Sequence, residues 1–315
     1  MEDFRSYSPE DAINANLQEI SLRFDRICEQ ELAHLRELAA EITASVTAIP
    51  DFIPSLPDRM PARPLPAADS LPQSEDTLHR LRQIRFARQK ILLCREIRDQ
   101  LASKGVLTPE FFFPDPDEIS IKAFNRVVYQ KSSYADDAYL QFAHLLAVPR
   151  ASYAHSFLSA CEDVYNGLCE YCILPVENTA EGPLNSFLRL IRRYELKIAA
   201  TCSINGADRA GVTRFALLRR NMTPLLTPFT EAKIFEFDLP NDAPYTASHL
   251  LLAAQLCDLD LLQLNTVPRT DEDEQSSTRF SFSAKERDLQ AYLLYLAMEV
   301  PHYQPLGIYS HMLQK

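Results

Sequence analysis

An apolar segment that runs into a polar turn constrains the fold of this chain more than any other feature. The segment is CILPVENTAEG, residues 172–182. A short apolar run bounded by turn residues is typical of a buried strand, and open α/β sheets place their ligand sites where such strands end. The sequence therefore predicts an α/β unit in which this turn opens a helix and carries Glu177, Asn178 and Thr179 as candidate site residues. The alternative interpretation of these residues is a helix N-cap.

Composition narrows the class of protein. The chain has 315 residues, of which 46% are hydrophobic and 24% charged, as in ordinary globular proteins. No apolar run approaches the ~20 residues of a membrane helix, and the N-terminus lacks the order of a secretory signal, which predicts a cytoplasmic protein without membrane contact. The net charge of −11 disfavours nucleic acid as a partner. The seven cysteines are expected to be buried free thiols rather than disulfides or metal ligands.

The first third of the chain is predicted to be helical. Apolar residues recur at helical spacing over residues 10–48 and again over 76–103. Seven prolines between Pro50 and Pro72 predict an extended linker over residues 49–75. The second helix carries a row of cations, interpreted as a solvated face, with docking onto an acidic partner as the alternative. These cations are Arg80, Arg82, Arg85, Arg88, Lys90, Arg95 and Arg98.

From residue 125 onward, short strand and helix patterns alternate. Residues 125–222 predict an α/β unit with a mainly parallel sheet. Residues 230–315 predict a separate βαββαβ unit of ferredoxin-like order. With residues 1–104 as a helical part, the predicted fold class is an α+β multidomain protein.

Three segments resemble the bifunctional chorismate mutase–prephenate dehydratases. CILPVENTAEG resembles the dehydratase signature "PIENS…G", GVTRF (residues 211–215) resembles their "N-x-TRF" strand, and VVYQKSSYA (residues 127–135) resembles their opening motif without its glycines. The resemblance implies no cofactor and no metal. It implies catalytic roles for Thr213, Asn178 and Thr179. The residues for which it implies substrate-binding roles are Arg214, Phe215, Glu177 and Ser133. The tripeptide TRF occurs again at residues 278–280, so an ordinary strand is the alternative for residues 213–215.

The flanking segments resemble the partners of the dehydratase in those enzymes. Residues 17–42 look like the first helix of a helical chorismate mutase, but Gln18, Leu35 and Val46 stand where its cations belong. PLGIYS (residues 305–310) is similar to the end of an ACT domain, which implies a homodimer formed through this domain and a small carboxylate or aromatic amino acid as ligand. By the same resemblance, the effector-binding residues would be Asn241, Tyr245 and Asn265.

The functional hypothesis rests on the length of the segment between Lys197 and Thr213. Only fifteen residues separate Lys197 from Thr213, where prephenate dehydratases insert a second α/β lobe, and a βαβ crossover alone takes about 30 residues. We therefore expect a single lobe, a tight strand-to-strand connection, and a protein linked to phenylalanine biosynthesis that is impaired in catalysis and acts by binding or regulation. The alternatives are an active prephenate dehydratase, which releases phenylpyruvate, water and CO2, and a chorismate mutase with a rearranged cationic site.

Overall fold

The computed structural model describes residues 9–44, 73–113, 125–205, 211–222, 231–241, 247–267, 276–300 and 302–312. None of the helices in these ranges is long and apolar enough to span a membrane. The helices are α1 (Pro9–Ile42), α2 (Gln73–Ser103), α3 (Pro109–Phe112), α4 (Ser133–Ala143), α5 (Phe157–Tyr165), α6 (Asn185–Arg193), α7 (Ala247–Leu256) and α8 (Glu286–Glu299). The strands are β1 (Asn125–Gln130), β2 (Pro149–Ala154), β3 (Tyr171–Asn178), β4 (Gly182–Pro183), β5 (Lys197–Asn205), β6 (Val212–Arg219), β7 (Lys233–Pro240), β8 (Asp260–Val267), β9 (Ser277–Ala284) and β10 (Gln304–Met312).

The described strands form one sheet in the order β2-β1-β3-β6-β5-β10-β7-β9-β8, with the short β4 paired to β3. Strands β1, β2 and β3 pair in parallel, whereas β6 runs antiparallel to both β3 and β5. The last strand, β10, lies parallel to β5 and antiparallel to β7. It therefore joins the strands of residues 125–222, called here the lobe, to those of residues 231–312, called the C-terminal unit.

The connection between β5 and β6 is a hairpin. Asn205 pairs with Val212 and Ile204 with Thr213, so the predicted tight strand-to-strand connection is confirmed. The C-terminal unit has the predicted βαββαβ order, and its four strands lie in the order β10-β7-β9-β8. The sequence did not predict β2, whose side chains are exposed or only half-buried and therefore show no apolar pattern.

Alternating side chains give the lobe a core on each face of its sheet. Helices α5 and α6 cover the first face, where Leu174, Ala216 and Leu218 are buried. Helix α4 covers the second face, where Phe215 and Leu217 are buried. We call them the α6 face and the α4 face. The six cysteines whose side chains the structure describes are free and buried, as expected. Cys28 lies outside the described side chains.

The N-terminal helices pack on the C-terminal unit. Helix α2 contacts α1, α7 and α8, and its apolar residues join one core with those of β7 and β9. The cationic face of α2 is not fully solvated. Lys90 is 7% exposed and pairs with Glu299, and Arg98 is 3% exposed and donates to the carbonyl of Arg287. The prediction of a solvated face was wrong at these two positions, because their partners are distant in sequence. The side chains of residues 80–86 and most of the linker lie outside the described residues.

Candidate functional site

The three residues predicted to be catalytic meet where β3 ends and β6 begins. Asn178 is the register partner of Thr213, and its amide nitrogen donates to the Thr213 hydroxyl at 2.9 Å. The other amide atom of Asn178, Oδ1, accepts from the backbone N–H of Ala180 at 2.8 Å. The Thr179 hydroxyl accepts from the backbone N–H of Val212 at 2.9 Å. All three polar side chains therefore take part in holding the turn after β3 against β6.

Gly211 makes this contact possible. It has φ +84, and a Cβ atom at this position would lie 2.5 Å from the Thr179 hydroxyl oxygen. Glycine reaches such backbone angles without steric cost. The close approach of the two turns thus depends on the first residue of the GVTRF segment.

The turn does not open a helix directly. After Thr179 the chain forms β4, which pairs back onto β3 through Gly182 and Pro183. Helix α6 begins only at Asn185, and its N-cap position is Leu184, which makes no side-chain cap. The interpretation of Asn178 or Thr179 as a helix N-cap is therefore wrong, since their oxygens bond to the turn and to β6 instead.

Adjacent residues of β6 point to opposite faces of the sheet. Thr213 and Phe215, two residues apart, both lie on the α4 face, where Phe215 is 5% exposed within the core. Arg214 lies on the α6 face with Ala216 and Leu218. The structure thus separates the predicted catalytic pair from Arg214, and it places Phe215 where it packs against the core rather than lining an open site.

On the α6 face, Arg214 lines a cavity at the junction of the two units. Its Nη1 lies 2.9 Å from Oε2 of Glu177, and the two side chains are 41% and 30% exposed. The cavity has a volume of about 260 Å³ and is bounded by residues of β3, β5, β6 and α6 on the lobe side and of β7, β8, β9 and β10 on the other. We call it the junction cavity.

A buried ion-pair network forms the wall of the C-terminal unit at this junction. Arg279 donates to both carboxylate oxygens of Asp238 at 2.8 and 3.0 Å and lies 3.5 Å from Glu236. Arg192 of α6 donates to the same Asp238 at 2.7 Å. The Tyr309 hydroxyl donates to Glu236 at 2.6 Å, and burial followed by the charge of Glu236 raises the pKa of this tyrosine. The network joins α6 of the lobe to β7, β9 and β10.

No sequence pattern indicated His311, which lies on β10 two residues after Tyr309 of this network. Its Nδ1 is 2.9 Å from the Thr201 hydroxyl and its Nε2 is 3.3 Å from the Ser203 hydroxyl. Burial lowers the pKa of His311 below its ordinary value of 6.5, and the positive charge of Arg214 lowers it further. A neutral imidazole between two hydroxyls is therefore the form that this site favours. Only the pairing of β5 with β10 brings these groups together, and no local pattern predicts that pairing.

The remaining predicted site residues are dispersed. Ser133 is the exposed first residue of α4, while the neighbouring Ser132 caps this helix by accepting from Ala135. Asn241 accepts from the Thr278 hydroxyl at 2.9 Å beyond the end of β7, whereas Asn265 of β8 lines the junction cavity. Tyr245 lies outside the described residues.

Similar solved structures include two prephenate dehydratases. One, from Streptococcus mutans, is 18% identical over 60% of this chain and 100% of that chain, with a TM-score of 0.48. The other, from Arthrobacter aurescens in complex with L-Phe, is 13% identical over 59% and 90%, with a TM-score of 0.46. A structure described as a quorum quenching acylase is 17% identical over 58% and 94%, with a TM-score of 0.45. No protein-family model and no curated protein matches the chain. Similarity at this level does not decide an activity.

Proposed function

We propose that this chain is a divergent relative of the chorismate mutase–prephenate dehydratases that binds a small molecule or regulates, and that it does not dehydrate prephenate. The observation that carries the proposal is the β5–β6 hairpin, in which Asn205 already pairs with Val212. A second lobe that encloses the substrate would have to be inserted between these two residues. The six residues between Asn205 and Val212 are far fewer than the roughly 30 that a βαβ crossover takes, so this connection is too short to contain such a lobe.

The environment of Thr213 supports the same proposal. Loss of the ring hydroxide requires donors aimed at the departing oxygen in a site that excludes water, and such fixed donors contribute on the order of several kcal/mol. Here the amide nitrogen of Asn178 donates to Thr213 itself, and Thr179 accepts from the backbone of β6. The groups that would assist the reaction are therefore used to hold two strands together.

Charge also disfavours prephenate, which is a dicarboxylate. The most exposed cation of the junction cavity, Arg214, is paired with Glu177, and Arg279 is paired with Asp238 and Glu236. Two substrate carboxylates would have to compete with these protein carboxylates for the same two guanidinium groups. A dianion therefore gains little from the cavity.

The proposal is tested by incubating the purified protein with prephenate and measuring phenylpyruvate. We expect no formation above background, and the Thr213→Ala variant should give the same result as the wild type. A robust wild-type rate that Thr213→Ala abolishes would establish the active dehydratase instead. The variant is informative because Thr213 is only half-buried at a strand end, where loss of its hydroxyl leaves the core intact.

The structure gives less support for chorismate mutase activity than for the binding role proposed above. Three of the cations that could replace the missing ones make contacts with the C-terminal unit. Lys90 pairs with Glu299, Arg95 with Asp258, and Arg98 with the Arg287 carbonyl. We therefore expect no conversion of chorismate to prephenate, and a measurable rate that is lost in Arg88→Gln, whose parent side chain is exposed, would overturn this expectation.

We also propose that the protein forms a homodimer through its C-terminal, ACT-like unit. Strand β8 lies at the end of the described sheet, and Leu261, Leu262 and Leu264 on it are 46%, 52% and 42% exposed. An apolar edge strand is a ready template for pairing with another chain. A point substitution on β8 tests the dimer better than removal of the C-terminal unit, because that removal would also take away β10, one of the two strands that pair with β5.

A further inference from the structure

We propose that Ser203 and His311 form a nucleophile–base pair that hydrolyses short-chain carboxylic esters. Ser203 Oγ attacks the acyl carbon of the ester, and Nε2 of His311 takes the hydroxyl proton. This activity goes beyond the binding role proposed above and does not depend on it. Ser203 is the register partner of Arg214 and shares its face of the sheet, whereas Thr213 of the predicted dehydratase site lies on the α4 face.

The pairing of β5 with β10 brings the three polar groups of this site together. Thr201 and Ser203 are two residues apart on β5 and therefore point to the same face, and His311 of β10 is the register partner of Thr201. The Nε2 atom of His311 lies 3.3 Å from Ser203 Oγ, and its Nδ1 atom lies 2.9 Å from Thr201 Oγ1. An activated nucleophile needs a base within hydrogen-bond reach, often at a longer distance in the free enzyme, and a third group that orients the base. The site has all three groups.

The imidazole has the surroundings that a general base requires. In the productive tautomer, Nδ1–H of His311 donates to the Thr201 hydroxyl, so the lone pair of Nε2 faces Ser203. The Thr201 side chain is buried, and His311 is half-buried. Burial and then the charge of Arg214 lower the pKa of His311 below 6.5, against an opposing effect of Glu177. The imidazole is therefore neutral at pH 7 and able to accept a proton.

Arg214 supplies donors for the negative charge that develops on the carbonyl oxygen. The Cβ atoms of directly opposite residues in an antiparallel pair lie about 4.5–5.5 Å apart, and Arg214 stands in this relation to Ser203. The Arg214 side chain is 41% exposed and bonds to Glu177 through Nη1. Since a guanidinium group has five N–H donors, further donors can face the oxyanion. Fixed donors of this kind are usually the largest contribution to acyl transfer.

The junction cavity next to this site fits a short, uncharged acyl group. Thr201 and Arg214, the neighbours of His311 and Ser203 in the sheet, both line the cavity, whose volume is about 260 Å³. Its apolar wall on the lobe side is formed by Val176, Leu188 and Ile198. A dry cavity of about 150 Å³ holds benzene, so this one accommodates an acyl chain of a few carbons. An ester also brings no charge that would compete with the ion pairs of the cavity.

The reaction proceeds in two balanced stages. As the bond from Ser203 Oγ to the acyl carbon forms, the hydroxyl proton passes to Nε2 of His311 and the carbonyl electron pair moves onto the oxygen. When this pair returns, the bond to the alkoxide breaks, and the alkoxide takes the proton from Nε2 and leaves as an alcohol. Water then attacks the acyl carbon in the same way, which releases the carboxylic acid and restores the Ser203 hydroxyl.

The test uses the intact protein with p-nitrophenyl acetate and p-nitrophenyl decanoate, and measures release of p-nitrophenolate. We expect the acetate to be hydrolysed faster than in buffer and faster than the decanoate. Ser203→Ala and His311→Asn should each lower the rate by at least about a hundredfold, and Arg214→Gln by at least about tenfold. His144→Asn, which removes an exposed imidazole after the end of α4, is the matched control and should hydrolyse the ester as the wild type does.

A second measurement identifies the nucleophile in the wild-type protein. Diisopropyl fluorophosphate phosphorylates serine nucleophiles with loss of fluoride, and we expect peptide mass spectrometry to find the adduct on Ser203. The proposal would be overturned by an adduct on other residues alone, by the absence of any adduct, or by an ester hydrolysis rate that Ser203→Ala leaves unchanged. The adduct is mapped on the wild type, so this result remains decisive even if a variant fails to fold. Turnover of prephenate is measured separately, and its outcome does not alter any of these results.

Discussion

Replacing Asp238 by asparagine should destabilise the protein strongly. The Asp238 side chain is 1% exposed and accepts hydrogen bonds from Arg279 at 2.8 and 3.0 Å and from Arg192 at 2.7 Å. The two arginine side chains are themselves only 9% and 15% exposed. Asparagine keeps the shape but removes the charge, and it turns an NH₂ group toward guanidinium donors.

The magnitude follows from the cost of an unpaired buried charge. Breaking a buried ion pair by removing one partner costs about 3–5 kcal/mol, and here one carboxylate serves two cations. Since a folded protein has about 5–15 kcal/mol of stability in total, this single oxygen-to-nitrogen change should remove a large share of it. The lost stability should come from the contact between the lobe and the C-terminal unit, because Arg192 belongs to the lobe and Arg279 to the C-terminal unit.

The assay is urea unfolding followed by far-ultraviolet circular dichroism and by tyrosine fluorescence, which suits a chain with 13 tyrosines and no tryptophan. Glu19→Gln is the control, because the Arg23–Glu19 pair is 73% and 59% exposed and should change stability by no more than about 0.5 kcal/mol. Arg192→Met combined with Asp238→Asn should cost less than the sum of the two single changes. A loss below about 1 kcal/mol for Asp238→Asn would refute the reasoning.

Three further predictions concern the turn, the imidazole and the sheet edge. Gly211→Ala should destabilise the protein by about 1–3 kcal/mol, measured by urea unfolding. Gly167→Ala should destabilise it less, because both glycines have positive φ but, of the two, only a Cβ at Gly211 would meet an atom within 4 Å. Equal losses of stability in the two variants would contradict this reasoning. The His311→Asn variant should be less stable than the wild type at neutral pH, and this difference should shrink as the pH falls. In the folded protein the pKa of His311 is lowered from 6.5. The neutral imidazole therefore stabilises the folded wild type above pH 6.5, and this stabilisation is lost as the pH falls through the folded-state pKa. The difference in unfolding free energy between wild type and variant should therefore be smaller at pH 5 than at pH 7.5, and a constant difference would count against the pKa shift. Leu262→Lys should convert a dimer to a monomer in light scattering, whereas Leu140→Lys, at a 62% exposed position on α4, should not; a dimer in both variants would exclude the β8 edge.

Much of the fold follows from local patterns. Helical spacing predicted α1 and α2, and the chain length between Lys197 and Thr213 predicted the β5–β6 hairpin. Pairing of β10 with β5 could not be predicted, because strands about 110 residues apart share no local signal. The junction cavity depends on that pairing and was missed for the same reason. The burial of charged side chains could not be predicted for the same reason, because their partners are distant in sequence: Lys90 pairs with Glu299, near the other end of the chain.

The candidate site was predicted in part. The family resemblance implied that Asn178 and Thr213 belong to one site, and the structure joins them by a hydrogen bond, whereas their catalytic roles stay predictions. Alternation within β6 would also have separated Thr213 from Arg214, because neighbours in a strand point to opposite faces. The sequence therefore contained the information that these two residues cannot act on the same small substrate from one face. What it lacked was the second wall of the cavity, which Gln263 and Asn265 provide from β8.

A single-turnover experiment tests the central claim most directly. Protein in several-fold excess is mixed with prephenate, so that one chemical event per molecule is detected even where product release is slow. If the hairpin in place of a second lobe removes the environment that the reaction needs, prephenate should disappear at its uncatalysed rate in both the wild type and Thr213→Ala. Stoichiometric formation of phenylpyruvate by the wild type, at a rate that depends on Thr213, would contradict the account.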